Sequence, residues 1–191
     1  NGKSTLISAI ALYMLCADGE PSAECYVAAG DRQQAGIIFD VASSMVRSDS
    51  QLNNNLKVFK SSVIHEKSNS AFKAISAEAS SKFGYNASFV CMDEFFVQKD
   101  AQLWDALTTS VGARRQPLTI AITTAGYNRE SICFKTEEYG RKVSEGVIDD
   151  NSFYYVKFAC PMDVDWDSEE ALRLANPALE SGVVKLDYLK R

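Results

Sequence analysis

Residues 1–16 read NGKSTLISAIALYMLC, and this stretch decides how the fold is interpreted. Gly2-Lys3-Ser4-Thr5 is the closing half of the pattern G-x-x-x-x-G-K-[ST]. In that pattern the backbone N–H groups of a loop and of a helix N-terminus surround phosphate oxygens. The apolar residues behind it predict a deeply buried helix over residues 4–16. The stretch therefore predicts a phosphate-binding loop, and we expect the chain to be a fragment that begins inside this motif.

Each residue of the loop has a predicted role toward a nucleotide. Gly2 lets the backbone approach a phosphate closely, and the Lys3 ammonium would reach the β- and γ-phosphates of ATP. The Ser4 hydroxyl would bind Mg²⁺, and Thr5 belongs to the same nucleotide-binding stretch. The alternative is an ordinary helix cap, so the interpretation depends on the helix that follows and on a second motif.

The second motif is an acidic pair behind the apolar run Ala87–Met92, which predicts a buried strand. Asp93 and Glu94 follow at the strand end, where ligands of open α/β sheets bind. Asp93 is predicted to hold Mg²⁺, and Glu94 to polarise the attacking water. The alternative is an acidic cap that opens a helix. Together the two motifs predict ATP hydrolysis, with Lys3 and Glu94 as catalytic residues.

A third segment, Thr123-Thr124-Ala125-Gly126, follows the apolar run Leu118–Ile122, which predicts a neighbouring central strand. In a parallel sheet the ends of adjacent strands share one ligand crevice. The hydroxyls of Thr123 and Thr124 are therefore predicted to sense the γ-phosphate of the nucleotide or its attacking water. Taken alone, the segment is an ordinary turn.

The alternation of strands and helices indicates an α/β fold with a mostly parallel sheet between helices, typical of a P-loop NTPase of the ASCE type. We expect one domain over residues 1–191. The predicted strands cover residues 24–29, 56–65, 70–76, 87–92, 118–122 and 152–159, with a hairpin around residues 67–69. The predicted helices cover residues 4–16, 31–47, 100–111, 130–145 and 168–175, and residues 48–55 and 80–86 are expected to be loops.

Composition narrows the function classes. The chain has 191 residues, 46% of them hydrophobic, a formal net charge of −5 and one histidine. The charge disfavours nucleic-acid binding over the whole surface but leaves open a local basic patch around residues 57–73 or at Arg114-Arg115. The single His65 gives weak support to a His-based metal centre or a Ser-His-Asp triad. No apolar run is long enough to span a membrane, and the cysteines are expected to be buried, reduced thiols.

In these motifs the chain resembles the ATPase domain of the large terminase subunit of tailed bacteriophages, over nearly its whole length. Further segments carry the resemblance in the same order along the chain. They are AAGDRQQA at 28–35, FKAISA at 72–77, the loop at Gly84, LTTS at 107–110, GARRQP at 112–117, TTAG at 123–126 and ANPAL at 175–179.

The resemblance implies a motor that uses ATP and Mg²⁺ to package double-stranded viral DNA, in the cytoplasm of an infected bacterial host. It implies a homo-oligomeric ring on the portal protein, a small terminase subunit that selects DNA, and a C-terminal nuclease domain in the parent protein. In this family the residues matching Lys3 and Ser4 hold nucleotide and Mg²⁺. Those matching Asp93 and Glu94 bind metal and activate water, and those matching Thr123-Thr124 couple hydrolysis to DNA movement.

A ring motor also needs a cation from a neighbouring subunit to stabilise the charge of the transition state. Lys82, Arg114 and Arg115 are the candidates, against the alternative of ordinary surface charge. Gln33 and Gln34 either line the nucleotide pocket or face solvent.

Two other functions stay open at the level of the sequence. One is a helicase or another stand-alone ATPase with the same sheet topology. The other is a non-catalytic scaffold, which has no reason to retain the lysine, the serine and both acidic residues.

Overall fold

The computed structural model describes residues 2–76 and 84–190. The chain forms two compact units, Lys3–Thr136 and, together with Asn1–Gly2, Glu137–Arg191. Each described helix is too short or too polar to cross a membrane. The expectation of one domain over the whole chain stays a prediction.

The larger unit alternates helices and strands along the chain. They are α1 (Lys3–Cys16), β1 (Glu24–Ala29), α2 (Arg32–Ser48), α3 (Ser50–Asn55), β2 (Lys57–Val58), β3 (Ser62–His65), β4 (Ser70–Ser76), β5 (Phe89–Met92), α4 (Gln102–Thr109), β6 (Leu118–Ala121) and α5 (Ile132–Ser144). Short 3₁₀ turns lie at Glu66–Ser68, Phe95–Val97 and Ser110–Ala113. The boundary between the units falls within α5, and the smaller unit adds α6 (Glu169–Ala175), a 3₁₀ turn at Pro177–Leu179 and α7 (Leu186–Leu189).

The described strands form one six-stranded sheet in the order β2-β3-β4-β1-β5-β6. Strands β4, β1, β5 and β6 are parallel, whereas β2–β3 and β3–β4 pair antiparallel. The predicted α/β fold is therefore confirmed, as is the hairpin around residues 67–69. This topology places the carboxyl ends of β1, β5 and β6 at one edge of the sheet.

Both faces of the central strands are buried. Successive side chains of a strand point to opposite faces, so Val27 and Cys91 pack with α1 and α2, while Ala28 and Met92 pack with α4 and Cys133 of α5. Helices on both faces explain why β1 and β5 are continuous apolar runs rather than alternating ones. All five cysteines lie in the described residues as free thiols. Cys25, Cys91 and Cys133 are buried as predicted, whereas Cys16 and Cys160 are only half-buried.

Several helix predictions are confirmed. Asp31 caps α2, since its carboxylate accepts a hydrogen bond from the Gln34 N–H at 2.9 Å. Ser168 caps α6 by accepting from the Ala171 N–H at 3.1 Å. The helix predicted at 100–111 is divided into α4 and the 3₁₀ turn that follows it.

Helix α1 is not buried all round, so the prediction of deep burial is wrong for one face. Ile7, Leu12 and Leu15 lie in the core, but Leu6 and Tyr13 are 62% and 56% exposed. The apolar pattern alone predicted burial on every side. Within the described residues, α1 packs with α2 and the sheet, and both lie on one side of the helix.

Three other local predictions are wrong. The single strand predicted at 56–65 is instead two short antiparallel strands, β2 and β3. Residues 50–55 form the short helix α3 instead of a loop, because Asp49 caps it through the Leu52 N–H and Leu52 packs against the core. Residues 152–159 form no strand, although Tyr154 and Phe158 follow a strand-like pattern. A strand also needs a neighbour to satisfy its backbone, and no described strand pairs with this segment.

Candidate functional site

The ends of β1, β5 and β6 continue their pairing beyond the last strand residues. The Asp93 N–H donates to the Ala28 carbonyl at 2.8 Å, and the Ile122 N–H donates to the Met92 carbonyl at 2.9 Å. This register carries the acidic pair and the threonine pair out of the sheet side by side. Sequence segments far apart in the chain therefore meet at one edge.

Directly after β5 the backbone makes a strained turn. Glu94 has φ 44° and ψ 53°, the left-handed conformation, which costs a residue with a side chain about 1–2 kcal/mol. Its N–H donates to Asp93 Oδ1 at 2.9 Å, and its carbonyl accepts from the Val97 N–H at 2.9 Å. The Phe95 N–H donates to the Ile122 carbonyl at 3.1 Å, which ties the turn to the end of β6.

The threonine segment contacts this turn at three points. Thr123 Oγ1 accepts from the Phe96 N–H at 3.1 Å and donates to the Thr124 carbonyl at 2.9 Å. Thr124 Oγ1 donates to Glu94 Oε2 at 3.2 Å. A Cβ on Gly126 would lie 3.0 Å from the Cβ of Phe96, so only glycine fits there without displacing the turn.

Asp93 is buried, and its electrostatic surroundings include Lys3. Its pKa is raised above the ordinary value, chiefly because burial disfavours the charged carboxylate, and the neighbouring Glu94 carboxylate adds to the increase. The Glu94 N–H and the Lys3 ammonium lower the same pKa. The Lys3 ammonium, at the first residue of α1, therefore has a small electrostatic effect on the carboxylate at the end of β5.

The start of α1 is anchored to α2. The buried Ser8 hydroxyl lies 2.7 Å from the Ser4 carbonyl and 2.9 Å from the Ile38 carbonyl. Lys3 and Ser4 are half-buried and Thr5 is exposed. Gly2, directly before the helix, has φ +74°, a conformation that favours glycine.

The donor set at this edge fits a magnesium ion that shares its coordination with a ligand. In the ranges that the structure describes, no group of three or more His, Cys, Asp or Glu side chains could hold a metal ion. Mg²⁺ commonly binds one or two carboxylates and takes its other ligands from phosphates and water. The buried Asp93 carboxylate, whose charged form is disfavoured by burial and by Glu94, is one that a cation would stabilise.

Of the three candidates for a trans-acting cation, the structure describes Arg114 and Arg115. Arg114 is committed to its own subunit, because its side chain is 6% exposed and donates to the backbone carbonyls of Pro21, Ser22 and Asn86. This buried arrangement contradicts the proposed trans-acting role of Arg114. Arg115 is exposed and stays a candidate. Lys82 lies outside the described residues.

The predicted basic patch around residues 57–73 is partly neutralised. Lys57 forms an ion pair with Glu66 at 2.6 Å, and Lys67 donates to Asn55 Oδ1 at 2.8 Å. Two lysines of this patch are therefore engaged with neighbouring residues, Lys57 with Glu66 and Lys67 with Asn55 at the end of α3.

Gln34 and Gln98 border the same edge of the sheet, and each has a buried polar side-chain atom. Gln33 is exposed, whereas the side-chain oxygen of Gln34 is buried, lies 3.9 Å from where a Cβ on Gly30 would be, and has no hydrogen-bond partner among the described residues. Gln98, directly after the 3₁₀ turn at Phe95–Val97, is 7% exposed, and its Nε2 likewise has no partner there. Sequence reasoning missed Gln98 because a lone glutamine after a turn carries no periodic signal.

Comparisons with known proteins point to one family. The family model "Terminase large subunit, ATPase domain" matches residues 1–142. The terminase large subunit of Enterobacteria phage HK97 is 29% identical over 184 residues, which cover 94% of this chain and 36% of that protein. Protein YmfN of Escherichia coli K12 is 31% identical over 94 residues, 49% of this chain and 21% of YmfN. The chain thus spans well under half the length of these curated relatives.

Solved structures show the same likeness. The crystal structure of the HK97 large terminase matches with a TM-score of 0.84 at 27% identity, over 98% of this chain and 39% of that one. The ATPase domain of the Thermus phage P74-26 large terminase matches with a TM-score of 0.56 at 22% identity, over 73% and 59% of the two chains, and shows the fold alone. The resemblance predicted from the motifs is confirmed, and the chain belongs to the family of terminase large subunit ATPase domains.

Proposed function

We propose that this chain is the ATP-hydrolysing motor domain of a terminase large subunit, which drives viral double-stranded DNA into procapsids. The observation that carries the proposal is the acidic pair Asp93-Glu94 at the end of β5, with Thr124 bonded to Glu94 and the charge of Lys3 acting on Asp93. A basic group, a buried carboxylate and a second, half-buried carboxylate are the groups that phosphoryl transfer needs. Membership of an ATPase-domain family implies that the ligand is a nucleotide.

The proposed roles follow the chemistry of each side chain. Gly2, Lys3, Ser4 and Thr5 form the phosphate-binding stretch, in which the Lys3 ammonium offsets negative charge on the β- and γ-phosphates. Ser4 and Asp93 hold Mg²⁺, which when bound supplies further positive charge beside the phosphates.

Glu94 is the proposed general base. Its carboxylate orients a water molecule and takes a proton from it as the water oxygen bonds to the γ-phosphorus and the bond to the ADP oxygen breaks. Thr123 and Thr124 lie beside this group at the end of β6, exposed to solvent. Their position beside the base supports the proposal that they belong to the same site as Glu94.

The larger assembly is also part of the proposal. The relative from phage HK97 is named a terminase large subunit. Accordingly we propose a homo-oligomeric ring on a portal protein, in the cytoplasm of an infected bacterium, that receives DNA from a small terminase subunit. The nuclease activity belongs to a C-terminal domain of the parent protein. A helicase and a non-catalytic scaffold are not favoured, because the family match is to terminases.

The test compares wild type with Glu94→Gln in the complete gene product, with and without portal protein. The amide keeps the shape of the side chain but cannot take the proton, so turnover of ATP should fall by about 10²–10⁴-fold. Binding of a fluorescent ATP analogue should be retained. Glu130→Gln, at an exposed glutamate before α5, is the matched control and should keep wild-type turnover. Wild-type turnover in Glu94→Gln would overturn the assignment, and separation of a forked duplex would favour the helicase alternative.

A further inference from the structure

We propose that Thr124 is a positioning residue that holds the Glu94 carboxylate, and that Thr123 and Gly126 fix the backbone of the turn that carries it. This inference rests on the proposed function, because it requires Glu94 to be the general base. It assigns the two threonines to holding that base rather than to binding the nucleotide. It replaces a role in sensing phosphate by a role in aiming a carboxylate.

The side-chain contact comes first. Thr124 Oγ1 donates to Glu94 Oε2 at 3.2 Å. A carboxylate on a side chain with several rotatable bonds has many orientations, and a general base must reach its proton within hydrogen-bond distance. The hydroxyl occupies one carboxylate oxygen and leaves the other for a water molecule.

The backbone contacts come second. The Thr123 hydroxyl accepts from the Phe96 N–H and donates to the Thr124 carbonyl, so it is engaged in both directions within the protein. This leaves it poorly placed to donate to a phosphate oxygen. Gly126 lies so close to the Cβ of Phe96 that a methyl group would come within 3.0 Å.

These contacts hold the backbone of Glu94 in its strained conformation. A non-glycine residue keeps a left-handed backbone only where its surroundings over-determine it. Here the Phe95 N–H is held by the Ile122 carbonyl and the Phe96 N–H by Thr123, both at the end of β6. The segment after β6 thus clamps the turn after β5, and a shift of either segment would move the carboxylate.

The experiment uses steady-state ATPase kinetics of the complete gene product. Thr124→Val removes the hydroxyl at nearly constant volume and should lower kcat on the order of tenfold, while KM for ATP changes less than about twofold. Thr124→Ser retains a hydroxyl and should recover most of the lost turnover. Thr136→Val, which removes a hydroxyl that donates to the Ile132 carbonyl within α5, is the matched control and should keep wild-type kcat.

A double-mutant cycle makes the test sharper. Because Thr124 is proposed to act through Glu94, Thr124→Val should lower turnover little further in a Glu94→Gln background. Since Thr124 is exposed, the variant should fold, and circular dichroism checks this. A raised KM with unchanged kcat would show a direct nucleotide contact and overturn the proposal, as would additive losses in the cycle. If Glu94→Gln itself kept wild-type turnover, the proposed function would fail instead.

Discussion

Polar groups lie at both ends of the parallel strands β1, β5 and β6, called here the amino edge and the carboxyl edge of the sheet. The two edges differ in how far these polar groups are paired with one another. At the amino edge, before β1, β5 and β6, polar groups are bonded to one another. At the carboxyl edge the structure holds a buried carboxylate with a raised pKa, a strained glutamate and two buried amides whose Oε1 or Nε2 has no partner among the described residues.

Arg114 dominates the amino edge. Its guanidinium donates to the carbonyls of Asn86 at 2.9 Å, Ser22 at 3.0 Å and Pro21 at 3.2 Å, and lies 3.4 Å from the Glu20 carboxylate. A planar fork with five N–H donors suits several fixed carbonyls at once. These bonds join the segments that precede β1, β5 and β6.

The two ends separate the polar groups that stabilise the domain from those that the proposed function would use. Polar groups that only stabilise a fold can all be paired with one another through hydrogen bonds. Groups that must bind a ligand or move a proton are kept partly uncompensated, and they make the apo protein less stable than it could be.

The largest effect is expected at the amino edge. Arg114→Ala leaves buried carbonyls and the Glu20 carboxylate without their partner, and should lower the free energy of unfolding by about 3–5 kcal/mol. Urea denaturation followed by circular dichroism measures it. Arg115→Ala, at the adjacent exposed arginine, should stay within about 0.5 kcal/mol of wild type. Equal effects at both positions would remove the structural distinction drawn between them.

The next effect has the opposite sign and lies at the carboxyl edge. Asp93→Asn keeps an oxygen for the Glu94 N–H but removes the buried charge, so it should stabilise the apo protein at neutral pH by about 0.5–2 kcal/mol while abolishing turnover.

Its pH dependence follows from the raised pKa. In wild type the stability linked to Asp93 is fully present below the ordinary Asp pKa of 3.8 and is lost as pH rises through the higher folded pKa. The gain in Tm of the variant should therefore vanish in acid and grow toward neutral pH. A gain that is independent of pH would contradict this cause.

A smaller effect is expected at Gln98. Its Nε2 is buried without a partner in the described part of the chain, so Gln98→Met removes an uncompensated donor and should be neutral or stabilising by about 1 kcal/mol or less. Thermal unfolding without nucleotide measures it. A clear loss of stability would show that the amide is satisfied in solution, and the carboxyl edge would then resemble the amino edge.

The smallest effect concerns Lys3. Its ammonium is the weakest of the influences on Asp93, so Lys3→Met should raise the pKa of Asp93 only slightly further. A carboxyl ¹³C NMR titration of Asp93 measures the change, with Lys135→Met, at an exposed lysine on α5, as control. An unchanged pKa would show that Lys3 does not reach the site in solution.

Much of the fold could be predicted because its signals are local. The helices predicted at 31–47 and 168–175 and the strands predicted at 24–29, 87–92 and 118–122 depend on residues next to one another, and the structure confirms them. The strand predicted at 152–159 was wrong because pairing depends on a distant partner. The exposed face of α1 was missed because an apolar helix does not say which of its sides will be covered.

The candidate site was predictable in its residue types but not in its contacts. Gly2-Lys3-Ser4 and Asp93-Glu94 were visible as motifs because phosphate and metal chemistry restricts the side chains that can serve it. That Thr124 faces the Glu94 carboxylate while Thr123 faces a backbone N–H could not be predicted. Thr123 and Thr124 are chemically identical neighbours, so the irregular backbone alone decides which group each side chain faces.

The α/β class follows from periodicity along the chain, and the motifs carried the resemblance to the family and the residues of the proposed chemistry. The folded structure was needed to show that Arg114 stabilises the amino edge rather than reaching a neighbour, and that the segment after β6 clamps the turn after β5. Both outcomes depend on hydrogen bonds between residues far apart in the chain. Such bonds form only once the sheet register has brought their partners within about 3 Å.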